Sequence, residues 1–116
     1  MAHHVLINGE WIPSTGKSTF HAVNPVTELP IDGDYPVSPW SEVDAALDAA
    51  AEASRQMRGW SGERFAAFLE RYADRIEART DELVEMANQE TALPAAGRLK
   101  GAELPRTTNQ LRQAAT

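Results

Sequence analysis

A chain of 116 residues with 42% apolar and 24% charged residues has the composition of a soluble domain, and that length can bury roughly two thirds of its unfolded surface. A net charge of −6 argues against a nucleic-acid backbone as partner: no basic run exists, and Arg55 with Arg58 and Arg98 with Lys100 are only pairs. The absence of cysteine excludes disulfides and thiolate chemistry, and no apolar run suits a bilayer or an export leader, so no membrane partner and cytosolic residence are expected.

Val5-Leu6-Ile7, Asn8-Gly9 and Glu10-Trp11-Ile12 read as a hairpin, because both residues of an Asn-Gly pair tolerate the positive φ of a primed turn. The polar loop Pro13 to Ser18 stops it. Thr19 to Val23 reads as a short third strand closed by Asn24-Pro25, and Leu29 to Tyr35 as an extended piece that Pro30 and Gly33 confine to an edge. The stretch from Asn24 to Ser38 is rich in Pro, Asp and Gly and resembles a linker.

The first helix is predicted to open on Ser38 as N-cap with Pro39 at its first position, Ser41 being the alternative cap. Val43, Ala46, Leu47, Ala50 and Ala53 or Ser54 form its inward stripe, which ends near Met57, with Gly59 as the stop. Alanine dominates that stripe, which suits close approach to another element more than a thick independent core.

Ser61 to Leu93 carries the strongest pattern. Phe65, Phe68, Leu69, Tyr72 and Ile76 fall on one helical stripe, while Glu63, Arg64, Glu70, Arg71, Asp74, Arg75 and Glu77 fill the opposite, solvent face. Ser61 is the natural N-cap, and the pattern restarts at Thr80, a second cap, with Leu83, Val84 and Ala87 as a new apolar face. Beyond Leu93-Pro94, Gly97, Gly101 and Pro105 are expected to interrupt any continuous helix, and a last helical run from Pro105 or Arg106, with Leu111 and Ala114 or Ala115 inward, is expected to stop inside an element at Thr116.

Tested for chemistry, the residues supply no active site. Covalent catalysis lacks a cysteine, and no serine lies in a Gly-x-Ser-x-Gly turn. His3 and His4 are expected in a disordered terminus, and His21 on a half-exposed strand without a second ligand at metal spacing. Glu63 with Glu70, and Glu82 with Glu85, read as solvated faces, and no strand precedes Gly97 and Gly101 as a phosphate-cradling loop requires.

The order INGEWIP, a polar loop, F-x-x-VNP, the helix EVDAALDAAAEA ending at Gly59-Trp60, SGER, FLERYADRIEARTDELVEMANQETALP and ELPRTTNQLR is similar to the start of aldehyde dehydrogenases. The resemblance covers Val5 to Ala115. The family usually shows Glu-Thr-Gly-Lys-Pro where this chain has Glu90, Thr91, Ala92, Leu93 and Pro94. Leu93, followed by Arg106-Thr107 and Gln110-Leu111-Arg112, resembles the branch that oxidises 2-oxoglutarate semialdehyde, often with NADP.

The resemblance implies an α/β parent fold, of which this segment would be mostly α-helical with a short N-terminal β-hairpin and edge strands. Residues 1–37 would form the hairpin and edge strands, and 38–116 a helical layer of the NAD(P)-binding domain. Family members are several times longer. In them a cysteine thiolate attacks the aldehyde, hydride passes to NAD or NADP, and a glutamate-activated water releases the acid. Those groups, the oxyanion-binding asparagine and the dinucleotide contacts all match positions beyond this sequence, so no catalytic, cofactor-binding or metal residue is expected in it. A monovalent cation in some relatives sits near the residues matching Ala22, Val23 and Glu90. The expected parent partner is a small aldehyde. The chain alone is expected to be inactive and to associate with itself, or be partly molten, through apolar helix faces left uncovered. The competing expectation is a freestanding, self-associating helical module without catalysis.

Overall fold

The computed structural model describes residues 1–116, which divide by contact into two units, Met1–Ala22 with Pro30–Gly59 and Val23–Leu29 with Trp60–Thr116. In the first unit, strands β1 (Val5–Ile7) and β2 (Glu10–Ile12) pair antiparallel, Val5 opposite Ile12 and Ile7 opposite Glu10. Asn8 at φ 52° and Gly9 at φ 81° make the primed turn their sequence predicts. The third strand is shorter than its sequence suggests: β3 (Thr19–Phe20) pairs with β4 (Tyr35–Pro36). Within the Leu29–Tyr35 stretch the Ile31 amide donates to the Ala22 carbonyl at 2.8 Å, only Tyr35 belongs to a strand, and Gly33 adopts φ 122°. His3 is not loose at the terminus: its amide donates to the Asp34 carbonyl at 2.8 Å and its ring stacks on Tyr35 at 4.9 Å.

Helix α1 runs Trp40–Met57, one residue later than a Ser38 cap would start it. Pro39 is the N-cap, extended at ψ 159°, and offers no side-chain acceptor. The first turn is fastened by Glu42 instead, whose carboxylate accepts from Ser14 Oγ (2.8 Å), Thr15 N (2.6 Å) and Thr15 Oγ1 (2.9 Å). Arg58 ends the helix in right-handed conformation, and Gly59 does not take the left-handed geometry expected of a stop. Its stripe is only partly inward: Val43, Ala46 and Met57 are half-buried, whereas Leu47, Ala50 and Ala53 are exposed, and no residue of α1 is buried.

The second unit holds α2 (Gly62–Ala78), α3 (Thr80–Thr91), a π-helical stretch Ala95–Glu103, and α4 (Leu104–Ala114). Ser61 caps α2 as expected, its Oγ accepting from the Arg64 amide at 3.3 Å. Trp60 anchors the entry, with the Arg64 guanidinium 3.6 Å over its ring and Phe65 at 5.5 Å. Helix, break, helix is what the structure shows, with Arg79 at φ −113° as the hinge. Thr80 does not cap α3; its hydroxyl donates backwards to the Glu77 carbonyl at 2.7 Å.

The core of this unit is Ala73, Val84, Leu99 and Thr108, and the buried Thr108 hydroxyl is satisfied by the Pro105 carbonyl at 3.2 Å. Ala73 and the half-buried Ala66, Leu69 and Ile76 face inward, so the contact face of α2 is turned away from Phe68 and Tyr72, which stay 60% and 51% exposed. One edge of the contact face is therefore acidic, and α4 meets it with Arg112. Its Nη2 lies 2.9 Å from Asp74 Oδ1 and 3.0 Å from Glu77 Oε2, and its Nε lies 3.6 Å from Glu70 Oε2. The face read from sequence as purely solvent-directed is a packing edge, because one guanidinium from a distant helix engages three carboxylates at once.

The segment after Pro94 is helical throughout, contrary to the interruptions expected at Gly97, Gly101 and Pro105. The wide π turn explains it. Leu99 N donates to Pro94 O and Leu104 N to Leu99 O, so carbonyls are matched five residues back. Pro105 follows at the second residue of α4, where it adds no amide to the ladder and the helix continues past it. Ala92 closes α3 in left-handed conformation (φ 59°, ψ 10°), its amide bonded to the Asn88 carbonyl, a position that favours glycine.

Candidate functional site

The residues with chemistry do not converge. His21 Nδ1 lies 3.3 Å from Asp34 Oδ1, and both side chains are nearly half exposed. His3 is held against Tyr35, and no three His, Cys, Asp or Glu side chains come together as a metal site would need. Glu63 and Glu70 do not pair: Glu63 is exposed and Glu70 belongs to the Arg112 cluster. Glu82 is bound by Arg79, Nε to Oε2 at 2.9 Å, and that hydrogen bond, together with the guanidinium charge, lowers its pKa. A paired acid and base need two carboxyl groups facing one site, and here Glu70 and Glu82 are taken up by arginines while Glu63 and Glu85 stand on exposed surface.

Glu42 is the most perturbed group. The Thr15 amide, then the Ser14 hydroxyl, with Ser38 and the Thr15 hydroxyl contributing less, hold its carboxyl down at about 2. Every partner donates from a loop to the start of a helix, which makes Glu42 a structural latch.

Gly97 and Gly101 sit within the π-helical stretch after Pro94, not after a strand, so they do not form a dinucleotide cradle. Of the positions that the resemblance places near a cation, Ala22 accepts from the Ile31 amide at 2.8 Å, while Val23 and Glu90 are exposed.

What the second unit does offer is an open apolar hollow of about 390 Å³, lined by Tyr72, Ile76, Leu83, Val84, Leu99 and Leu104. Its one carboxylate, Glu103, is occupied by Arg98 at 2.8 Å and Arg106 at 3.6 Å. Such a surface can receive apolar side chains but has no group poised for proton or group transfer. Sequence reasoning missed the Arg112 cluster and the Glu42 latch. The acidic spacing Glu70, Asp74, Glu77 was the available signal for the first; for the second there was only an acidic residue in a first helical turn.

A sequence model of the aldehyde dehydrogenase family matches residues 11–116. Alpha-ketoglutaric semialdehyde dehydrogenase 2 of Azospirillum brasilense is 38% identical over 109 residues, which is 93% of this chain and 20% of that protein. A putative aldehyde dehydrogenase of Staphylococcus aureus (strain bovine RF122 / ET3-1) is 33% identical over 88 residues, 76% of this chain and 18% of that one. The crystal structure of the NADP-dependent glyceraldehyde-3-phosphate dehydrogenase of Bacillus halodurans C-125, complexed with NADP, superposes with a TM-score of 0.88 at 25% identity over 99% of this chain and 24% of that one. The chain thus spans about a fifth of the length of the curated relatives it matches. It has the fold expected from its sequence, a mostly helical segment of an α/β fold with short strand pairs.

Proposed function

Because the chain belongs to the aldehyde dehydrogenase family, we propose that it is the N-terminal segment of an NAD- or NADP-dependent enzyme that oxidises an aldehyde to a carboxylate, and that the reacting groups lie outside it. One observation carries this reading: no residue of α1 is buried, and large apolar side chains on α1 and α2 (Trp40, Leu47, Phe68 and Tyr72) are between half and three-quarters exposed. Helices with one uncovered apolar side are built to lean on another layer. In this reading residues 1–37 are the hairpin and edge strands of the parent, and 38–116 are a helical layer of its cofactor domain. The nucleophile comes from elsewhere in the polypeptide, since this sequence has no thiol.

The likeness to the Azospirillum enzyme, together with Leu93 and the Arg106 to Arg112 pattern, supports 2-oxoglutarate semialdehyde as substrate class. A cytosolic location agrees with a chain in which no helix is long and apolar enough to cross a membrane. The test is direct. The chain alone, with NAD or NADP and a panel of aldehydes that includes 2-oxoglutarate semialdehyde, yields no nicotinamide reduction above a blank. Turnover by the chain alone would overturn the reading.

The same exposed side chains favour a second reading, a helical module that self-associates. Size-exclusion chromatography with light scattering over a dilution series separates the two. A defined dimer or tetramer, monodisperse with rigid near-ultraviolet signals, supports the module. Diffuse association at high concentration supports the uncovered segment.

A further inference from the structure

The structure carries four asparagines in four different settings, and only one of them is open to attack by its own backbone. Asn8 is exposed at the tip of the β1–β2 hairpin and is followed by Gly9, where an added Cβ would meet nothing within 4 Å. In a two-residue primed turn the flanking pair, here Ile7 opposite Glu10, makes the ladder contacts, so the Gly9 amide faces solvent. A glycine amide is also the least hindered nitrogen a peptide offers. The other three are protected. Asn24 precedes Pro25, which has no N–H to lose. Asn88 lies in α3, where its side-chain amide donates to the Leu93 carbonyl at 2.8 Å, and Asn109 lies in α4, where helical hydrogen bonds hold the following amide.

From this contrast we infer that Asn8 is a site of spontaneous deamidation, the hairpin tip converting to aspartate and isoaspartate through a cyclic imide. The Gly9 amide gives its proton to solvent hydroxide and its nitrogen attacks Asn8 Cγ. The Cγ–Nδ2 bond breaks, and ammonia leaves with a proton taken from water. Water then opens one of the two ring C–N bonds. Breaking the Cγ–N bond gives aspartate; breaking the bond to the former backbone carbonyl gives isoaspartate, with the chain now running through the side chain. No electrons are transferred, and water is the only co-reactant. The isoaspartate product places one extra methylene in the backbone of a turn that admits only two residues. The pairing of Val5 with Ile12 and Leu6 with Trp11 then loses its geometric support, and a carboxylate is added to a chain already at −6.

The test is peptide mapping by mass spectrometry of the full chain incubated at neutral and mildly alkaline pH, with isoaspartate scored by its characteristic fragment ions. Conversion at Asn8 is expected to be about tenfold or more faster than at Asn88 or Asn109 in the same sample, to rise with pH, and to yield isoaspartate beside aspartate. Gly9→Ala is expected to slow it by about tenfold through the added Cβ; because alanine strains a φ of 81°, the comparison with Asn88 and Asn109 in the unaltered chain is the independent measure. Asn8 remaining intact, converting no faster than the helical asparagines, or giving aspartate alone by direct hydrolysis would each overturn the inference.

Discussion

Replacing Arg112 with methionine removes the guanidinium and keeps a stem of similar length, so the change isolates the charge cluster from packing. Arg112 is about one third exposed (32%), and its three carboxylate partners are 48–69% exposed, so full buried-pair energies do not apply. The two contacts at 2.9 and 3.0 Å are worth about 0.5–1 kcal/mol each at such sites. Repulsion among Glu70, Asp74 and Glu77, no longer offset by the guanidinium, adds a few tenths more. Against this, Arg112 Nη1 is buried without an acceptor, and deleting it returns part of a desolvation cost of about 1 kcal/mol. The balance predicts that Arg112→Met destabilises the α2–α4 pair by about 1–2 kcal/mol. Urea unfolding followed by far-ultraviolet ellipticity, at a concentration below association, measures it. Raising salt from about 0.1 to 1 M shortens the screening length from roughly 10 to 3 Å and should shrink the deficit by about half. Arg112→Lys, which keeps the charge but loses the fork, should fall between the two. Equal stability at low salt, or a deficit indifferent to salt, would refute the assignment of the cluster as the tie between these helices.

Ala92→Gly should stabilise the chain by about 0.5–1 kcal/mol, because a left-handed alanine costs roughly 1–2 kcal/mol and the added unfolded-state freedom of glycine returns part of that. The same urea titration checks it, and a destabilised glycine variant would contradict the strained cap. Gly16→Ala should destabilise the first unit by about 2 kcal/mol, since the new Cβ would fall 2.2 Å from the Val37 carbonyl oxygen and must displace backbone; dispersed amide resonances of residues 13–20 should collapse in that variant. The Glu42 latch sets an acid limit. Its folded-state pKa of about 2 lies below the ordinary 4.5, so its contribution is fully present above pH 4.5 and is lost as pH falls toward 2. The Thr15 amide proton shift should titrate near 2 with an intact latch; a midpoint near 4.5 would show that loop and helix are not joined.

The sequence by itself determined whatever depends on neighbours along the chain. Asn8-Gly9 fixed its hairpin because two consecutive positive φ angles leave few other choices. Ser61 fixed the start of α2 because its hydroxyl meets the free first-turn amides. The restart at Thr80 was legible from a shift in apolar phase, although the cap chemistry was not, since a hydroxyl can donate backwards as readily as it accepts. The tertiary structure alone decided which side of each helix is covered. The apolar stripe of α2 predicted Phe68 and Tyr72 inside. The contact runs instead along Ala66 and Ala73, because two helices approach most closely over small residues and Arg112 made an acidic edge tolerable. The continuous helix through Gly97, Gly101 and Pro105 was equally hidden. Propensity counts those residues as breakers one at a time, while a π turn shifts the hydrogen-bond partner for the whole stretch. Local chemistry is written in adjacent residues; the pairing of surfaces depends on groups about forty positions away, as Arg112 is from Asp74.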